Sequence, residues 1–312
     1  MKLYIPKNVK IGHAQDDYTG CTVLLFPKGA TCGVDVRGGA PGTRETDLLK
    51  SEKSVQEVNA VVLSGGSAYG LAASTGVMEF CLENKWGFKA LGNKIVPIVT
   101  QAVIFDLNDK DYHYPDAKMG KDACNNAVKG TLEFGQVGAG KGATVGKIRG
   151  MKYACKSGIG AASIKVAGIN VTAVVAVNAL GDVYEDGKII AGAKNNDGTF
   201  FDTEKWVEEG HLIDVVKGSN TTIGCIITDA KLTKTQCNNI ASCAHDGFAR
   251  AIKPVHTDYD GDTLYAVSCG NKPVLNIMMI QAAAARATEL AIINAVKSGI
   301  GYEVEYTEET DA

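Results

Sequence analysis

The sequence predicts a layered protein of α-helices and β-strands, of the α/β or α+β class. Short apolar runs rich in β-branched residues alternate with longer segments whose apolar residues recur at helical spacing. These runs are so continuously apolar that we expect helices to cover the sheet they form. Glycines are abundant, with 36 against 7 prolines, and they cluster where tight turns or close backbone approaches are expected.

Four apolar runs predict strands, and three segments predict helices. The predicted strands are 60–63, 171–178, 223–228 and 264–268. The predicted helices are 69–83, 233–252 and 274–297. The second helix has one apolar face, made by Cys237, Ile240, Ala241, Ala244 and Phe248.

Composition and charge are those of an ordinary soluble chain. Of the 312 residues, 45% are hydrophobic and 21% are charged, and the net charge is −3. No long basic cluster is present, so neither nucleic acid nor an anionic membrane is an expected partner. No apolar stretch has membrane-spanning length and the first residues lack a signal-peptide core, so we expect a cytoplasmic protein. The length allows one large domain or two smaller ones.

The cysteines and histidines predict neither a disulfide framework nor a metal site. The nine cysteines are scattered without a C-x-x-C pair, which favours small buried hydrophobes in a reducing compartment. The five histidines have no metal-ligand spacing, and a structural role is favoured for each, including His13 and His256. The segment GQVGAGK at 135–141 resembles the start of a phosphate-binding loop, but Gly142 follows where Ser or Thr is needed. We therefore expect a glycine-rich turn there and no nucleotide.

The segment GSNTTIGCIITDA at 218–230 places a polar cluster directly before an apolar run. A turn that feeds a strand explains this composition. A chemical interpretation is also open, because an N-terminal threonine can use its hydroxyl as a nucleophile and its own α-amine, with a pKa of about 7.7–8.0, as the base. To reach that state the chain must cut itself: the hydroxyl attacks the preceding carbonyl, the acyl group shifts from nitrogen to oxygen, and water releases the ester.

Eight segments in one order resemble the DmpA-type aminopeptidases, which include L-aminopeptidase/D-esterases and β-peptidyl aminopeptidases and are related in fold to ornithine acetyltransferase. They are VRGGAPGTRETDLL (36–49), VVLSGGSAYGLAA (61–73), PIVTQAVIFDLND (97–109), GAGKGATVGK (138–147), SGIGAAS (157–163), VVAVNALGDV (174–183), NTTIGCIITDA (220–230) and HTDYDGDTLYAVS (256–268). The resemblance covers nearly the whole chain. It implies an α+β fold, a four-layer αββα sandwich, with no cofactor and no metal.

The resemblance also implies a self-processing precursor that forms a single domain over residues 1–312. We expect cleavage between Asn220 and Thr221, which gives a large chain 1–220 and a small chain 221–312 with Thr221 as the N-terminal nucleophile. Thr222 is the competing hydroxyl. The processed heterodimers are expected to form a homo-oligomer, a tetramer.

Further site residues follow from the same resemblance. Asn178 matches an asparagine whose side-chain amide stabilises the oxyanion, an effect of about 3–4 kcal/mol; the alternative is that it only starts a turn. Asp262 matches an acidic residue that orients the nucleophile's amine. Asp260 replaces a serine. If both Asp260 and Asp262 face inward, their repulsion should raise the pKa of one of the two carboxyls; the alternative is that Asp260 is only a turn residue. Gln101 replaces a glutamate that holds the substrate's amino group, and Val103 stands where the family has an active-site tyrosine, so substrate preference need not be inherited.

The implied activity is hydrolysis of an amide or ester bond adjacent to a free amino group, through an acyl-enzyme on Thr221. Small peptides, amino-acid amides and esters are the expected substrates. Two alternatives stay open. One is acyl transfer to an amine, as in the ornithine acetyltransferases. The other is an unprocessed binding or scaffold protein that keeps the fold without the chemistry, which the departures at Gln101 and Asp260 allow.

Overall fold

The computed structural model describes residues 1–107, 112–129, 132–211, 218–297 and 300–307. The α-helices of this part are α1 (Ala73–Glu83), α2 (Ala117–Lys129), α3 (Thr203–Glu208), α4 (Lys234–Ala251) and α5 (Ile277–Val296). The strands are β1 (Lys2–Pro6), β2 (Lys10–Gln15), β3 (Gly20–Val36), β4 (Thr43–Arg44), β5 (Glu57–Ser64), β6 (Phe88–Lys89), β7 (Ile95–Val96), β8 (Val99–Val103), β9 (Thr144–Val145), β10 (Cys155–Lys156), β11 (Ile159–Val166), β12 (Ile169–Asn178), β13 (Asp182–Glu185), β14 (Lys188–Ala191), β15 (Thr221–Ala230), β16 (Ile252–Lys253), β17 (Thr263–Lys272) and β18 (Glu303–Thr307).

Nine strands form one continuous sheet that folds into two packed layers. Their order is β11-β12-β15-β17-β3-β5-β8-β4, and β2 also pairs with β3. The long strand β3 is shared between the layers, because its residues 31–36 pair with β17 and its residues 20–25 pair with β2 and β5. The pairing with β5 shifts register between Leu25 and Ala30. Such an irregularity bends a strand, and here it carries β3 from one layer to the other.

Helices cover the outer face of each layer. Helices α4 and α5 pack on β11, β12 and β17, whereas α1 and α2 pack on β2, β5 and β8. Three hydrophobic cores lie between the four layers, represented by Ile226, Phe248 and Ala284 under α4 and α5, by Leu24, Val61 and Tyr265 between the sheets, and by Val62, Val77 and Phe80 under α1 and α2. The expected four-layer αββα sandwich is confirmed.

The alternation of side chains along β12 and β15 fixes where their ends point. Val174 and Ala176 of β12 belong to the core between the sheets, and so does Ile223 of β15. With a period of two, Asn178 and Thr221 point into the same central space. Both faces of β12 are covered, which explains why the run 171–178 is apolar except at Thr172 and at its last residue, Asn178.

The predicted elements are present with adjusted ends. All four predicted strands lie within β5, β12, β15 and β17. Helix α4 begins where predicted, because Thr233 and Gln236 form a reciprocal capping box. Helix α1 begins at Ala73 rather than at residue 69, since Ser67–Ala72 forms a 3-10 helix first. All nine cysteines are free and seven are buried, as expected. No helix that the structure describes combines the length and apolarity needed to cross a bilayer.

Candidate active site

Thr221 is the first residue of β15 and is 3% exposed. It lies directly opposite Asn178, the last residue of β12. The preceding Asn220 forms a bridge with Asp260, which precedes β17. The prediction that the polar cluster stands at the start of a buried strand is confirmed, and the strand begins at Thr221, two residues before the predicted run 223–228.

The carbonyl before Thr221 accepts two hydrogen bonds. The Thr221 hydroxyl donates to the Asn220 oxygen, and the Gly261 amide donates to the same oxygen at 2.8 Å. A Cβ on residue 261 would lie 2.6 Å from Thr221 Oγ1. Glycine is therefore required at 261 for its N–H to approach this carbonyl. One peptide group thus has a hydroxyl and a backbone donor at its oxygen.

The Asn178 side chain is fully buried and hydrogen-bonded at both of its polar atoms. Its Nδ2 donates to the Phe105 carbonyl at 2.9 Å and, more weakly, to the Ser219 carbonyl at 3.5 Å. Its Oδ1 accepts from Lys147 Nζ at 2.8 Å. In the intact chain, the predicted oxyanion donor therefore contacts a carbonyl one peptide upstream of Asn220.

Lys147 is a site residue that the sequence analysis did not single out. It is 4% exposed, and besides Asn178 Oδ1 its Nζ donates to the carbonyls of Asn178 and Ser219, both at 3.1 Å. Burial lowers the pKa of Lys147 to about 7, although the charges of Asp260 and Asp106 act to raise it. An amine with a pKa near 7 suits proton transfer at neutral pH.

Asp106 is a second group that the sequence analysis missed. It follows Phe105, whose carbonyl contacts Asn178, and it accepts from the Gly66 amide at 2.6 Å and the Thr19 hydroxyl at 2.8 Å. Burial raises the pKa of Asp106 to about 6. The charge of Asp106 acts, after that of Asp260, to raise the pKa of Lys147, although the described contacts include no direct ion pair between Asp106 and Lys147.

Asp260 and Asp262 both face inward and are each 1% exposed. Asp260 accepts from the Thr257 amide at 2.9 Å and its hydroxyl at 2.6 Å, so it also closes a turn. Burial and, secondly, the charge of Asp262 raise the pKa of Asp260 to about 6. Asp262 accepts from the Thr222 amide at 2.7 Å and contacts His256 Nδ1 at 2.8 Å. Its carboxylate thus reaches the peptide that follows Thr221.

The glycine cluster at 38–42 supports this acidic loop. Arg37 N donates to the Asp262 carbonyl at 3.0 Å, and Ala40 N donates to the Asp260 carbonyl at 2.8 Å. A Cβ on Gly38 would lie 2.3 Å from the Asp260 oxygen. The absence of a side chain at 38 therefore lets one backbone segment hold the other in place.

The side chain of Gln101 lies apart from the site residues described above. It is on the same side of β8 as Val99, which belongs to the core under α1 and α2. Its Nε2 donates to Ser64 Oγ and the Gly70 carbonyl, both at 2.7 Å. Its predicted role in holding the substrate's amino group stays a prediction, and its side chain does not join the other predicted residues. Those that the structure groups together are Asn178, Asn220, Thr221, Asp260 and Asp262.

The glycine-rich loop at 135–141 uses its amides within the protein. Gly138 N donates to Gln15 Oε1 at 2.8 Å, and Ala139 N donates to Thr22 Oγ1 at 3.1 Å. Amides engaged in this way are not free to hold a phosphate. Across the residues that the structure describes, no three His, Cys, Asp or Glu side chains meet in an arrangement suited to a metal ion.

A family model and several known proteins match this chain. The model of peptidase family S58 matches residues 7–304. The chain belongs to peptidase family S58. An uncharacterized aminopeptidase of Mycobacterium leprae is 44% identical over 264 residues, which are 80% of this chain and 71% of the relative. A 6-aminohexanoate-oligomer endohydrolase of Paenarthrobacter ureafaciens is 34% identical over 278 residues, which are 83% of this chain and 72% of the relative.

Solved structures of similar fold cover most of this S58 chain. A β-aminopeptidase of Burkholderia sp. superposes with a TM-score of 0.68 at 22% identity, over 93% of this chain and 84% of the other. The L-aminopeptidase D-Ala-esterase/amidase of Ochrobactrum anthropi, described as a variant of the Ntn hydrolase fold, superposes with a TM-score of 0.66 at 18% identity, over 95% and 87%. The predicted resemblance and fold are confirmed, and family membership makes this chain a hydrolase of the peptidase class.

Proposed function

We propose that this S58 chain cuts itself between Asn220 and Thr221 and that Thr221 then acts as the nucleophile of an aminopeptidase. The observation that carries the proposal is the hydrogen bond that the Thr221 hydroxyl donates to the Asn220 carbonyl oxygen. The same oxygen also accepts from the Gly261 amide. The products would be a large chain 1–220 and a small chain 221–312 that remain together as one domain.

Self-cleavage begins with attack of Thr221 Oγ1 on the Asn220 carbonyl carbon. Negative charge develops on the Asn220 oxygen, where the Gly261 amide donates, and such a donor contributes about 3–4 kcal/mol in other enzymes. The C–N bond then breaks, the Thr221 nitrogen takes a proton, and an ester remains on Oγ1. Water hydrolyses the ester, which releases the Asn220 carboxylate and leaves a free Thr221 amine.

Lys147 supplies the base for this first step. In the intact chain the Thr221 nitrogen is an amide and cannot accept a proton, so a different group must take it. The Lys147 Nζ donates to the Ser219 carbonyl, two residues before Thr221, and burial lowers the pKa of Lys147 to about 7. At neutral pH a large fraction of this amine is unprotonated and able to accept.

Turnover of substrate uses the groups that cleavage sets free. The Asn178 amide, which donates to the Ser219 carbonyl in the intact chain, becomes available to the oxyanion of a substrate when residues before Thr221 move away. The new Thr221 amine serves as the base. We expect Asp262 and Asp260 to orient that amine, since both residues are buried, Asp262 accepts from the Thr222 amide and Asp260 pairs with Asn220.

The proposed substrates are small peptides, amino-acid amides and esters with a free amino group near the reacting bond. A relative named as a 6-aminohexanoate-oligomer endohydrolase adds oligomers of ω-amino acids as a class to test. We further propose a cytoplasmic homo-oligomer, a tetramer of processed heterodimers.

Mass spectrometry of protein quenched during turnover of an amino-acid ester tests the proposal. We expect the small chain to carry the acyl mass and the adduct to map to Thr221. An adduct on another residue, or wild-type hydrolysis by Thr221→Ala, contradicts the proposal. Transfer of the acyl group to an added amine in preference to water would identify an acyltransferase, and an intact, inert chain would identify a scaffold.

A further inference from the structure

We propose that His256 is a positioning residue that holds the Asp262 carboxylate against the Thr222 amide and thereby sets the orientation of Thr221. The inference rests on the proposed function, because it concerns the same nucleophile. His256 makes no described contact with Thr221, so we assign it no proton transfer to substrate.

Asp262 connects His256 to the residue that follows the nucleophile. Asp262 Oδ2 accepts from the His256 amide at 3.2 Å and pairs with His256 Nδ1 at 2.8 Å. Asp262 Oδ1 accepts from the Thr222 amide at 2.7 Å. The two carboxylate oxygens therefore join His256 to the peptide that follows Thr221. A rotation of the carboxylate would break one of these bonds, so fixing one oxygen fixes the other.

The backbone of His256 is held in a costly conformation. Its φ is +58°, in the left-handed region that few non-glycine residues adopt, although Asn, Asp and His are enriched among those that do. Its ring stacks on Phe248 of α4 with centroids 5.6 Å apart, and it meets the His245 ring in a T-shaped arrangement with centroids 4.7 Å apart. A strained residue persists where its surroundings fix it, and it often marks a functional position.

The hydrogen positions follow from the acceptors. A carboxylate only accepts, so His256 Nδ1 carries the hydrogen, and His245 Nε2 carries one because it faces the Asp35 carbonyl at 3.1 Å. Burial lowers the pKa of His245 to about 4, which keeps that ring neutral. The charged groups around His256 are therefore the carboxylates of Asp262 and Asp260, and Asp35 near His245.

Two substitutions separate the hydrogen bond from the packing. Asparagine at 256 can place a side-chain N–H near the position of Nδ1 and tolerates positive φ. Leucine fills similar space and cannot donate. We expect His256→Leu to lower kcat by on the order of 10²-fold with KM changed less than about threefold, since a small misplacement of reacting groups has an effect of this size. We expect His256→Asn to recover kcat to within about threefold of the wild type.

Two further variants keep the test decisive. Phe248→Leu removes the stacking partner without touching Asp262, so we expect a lower melting temperature with kcat nearly unchanged. If His256→Leu does not fold, His256→Gly replaces it, because glycine adopts positive φ freely and also lacks the donor. Equal activities in the Leu (or Gly) and Asn variants would overturn the inference. If Thr221→Ala hydrolyses substrate normally, the proposed function has failed, whereas an inactive Thr221→Ala beside a fully active His256→Leu rejects only the role of His256.

Discussion

Strand β15 has a buried polar cluster at each end, and the two clusters differ in whether their charged side chains form direct ion pairs. At the far end, Asp229 accepts from the Asn170 amide at 2.8 Å and from Asn170 Nδ2 at 2.7 Å, and it pairs with Lys272 Nζ at 2.8 Å. At the near end, the described hydrogen bonds of Lys147 all go to neutral oxygens. The carboxylate of Asp260 is held by hydrogen bonds from a threonine.

This difference separates a structural cluster from a reactive one. The Asp229 carboxylate has a counter-ion and two amide donors, which is the arrangement of a buried polar group whose hydrogen bonds are satisfied within the fold. Buried charges without a direct counter-ion shift toward their neutral forms, and here the pKa of Lys147 falls to about 7 while that of Asp260 rises to about 6. Such shifts are concentrated at functional sites, which favours the near end as the centre of catalysis.

Threonines at the two ends give the largest expected contrast. Thr221→Ala removes the attacking oxygen, so both self-cleavage and hydrolysis should be lost, whereas Thr221→Ser should keep part of both. Thr228→Ala removes a hydroxyl that donates to the Asn170 carbonyl at 2.8 Å, and it should cost about 1 kcal/mol of unfolding free energy with normal cleavage. Gel analysis and urea unfolding measure the two effects. Self-cleavage of the Thr221→Ala variant, or loss of self-cleavage in a folded Thr228→Ala variant, would contradict the assignment of different roles to the two ends of β15.

Lysines give the second contrast. Lys147→Met should slow self-cleavage by about 10²–10⁴-fold, the range expected for loss of a general base. Lys272→Met leaves Asp229 without its counter-ion and should cost about 2 kcal/mol of unfolding free energy, with little change in cleavage rate. Time courses of fragment formation after synthesis distinguish the two. An unchanged rate in Lys147→Met would exclude Lys147 as the base.

Asparagines give the third contrast. Asn178→Ala should slow acyl-enzyme formation by on the order of 10²-fold, because an oxyanion donor is lost. Asn170→Ala removes a donor to the Asp229 carboxylate and should cost about 2 kcal/mol of stability instead. Pre-steady-state bursts with an ester substrate report the first effect and thermal unfolding the second. Normal bursts from Asn178→Ala would place the oxyanion donor elsewhere.

Asp260 allows a smaller test through pH. Its pKa is raised from an ordinary 3.8 to about 6 in the folded protein. Between these values the folded protein binds more protons than the unfolded chain, so the free energy of unfolding should fall as the pH rises. The full change is about 3 kcal/mol. Urea unfolding from pH 4 to pH 7 should show this fall in the wild type relative to Asp260→Asn. A constant difference between the two proteins would mean that Asp260 does not titrate in this range.

Local patterns predicted the elements that have strong signals. The β runs appear within β5, β12, β15 and β17, since both faces of these strands are covered and the central residues of each strand are mostly apolar. Helix α2 was missed although its polar and apolar residues alternate at helical spacing, because its overall hydropathy is low and its buried face is made of small residues, among them Ala123, Cys124 and Ala127. The first turn of predicted helix 69–83 is a 3-10 helix, preceded by Gly66 at φ +79°.

The site could be predicted only where a resemblance supplied it. Asn178, Thr221 and Asp262 matched family segments, and the structure brings them together. Lys147 was missed because its sequence neighbours do not reveal burial, and in sequence it is one of 32 basic residues. His256 was assigned a structural role because its contact with Asp262 depends on a turn that spacing alone does not define.

N-terminal sequencing of the smaller fragment from purified, fully incubated protein identifies the cleaved bond and the nucleophile in one measurement. We expect a single new N-terminus at Thr221, with fragments of residues 1–220 and 221–312. A terminus at Thr222 would shift the nucleophile by one residue onto a hydroxyl that has no described hydrogen-bond partner. A chain that stays intact would contradict self-processing at the Asn220 carbonyl.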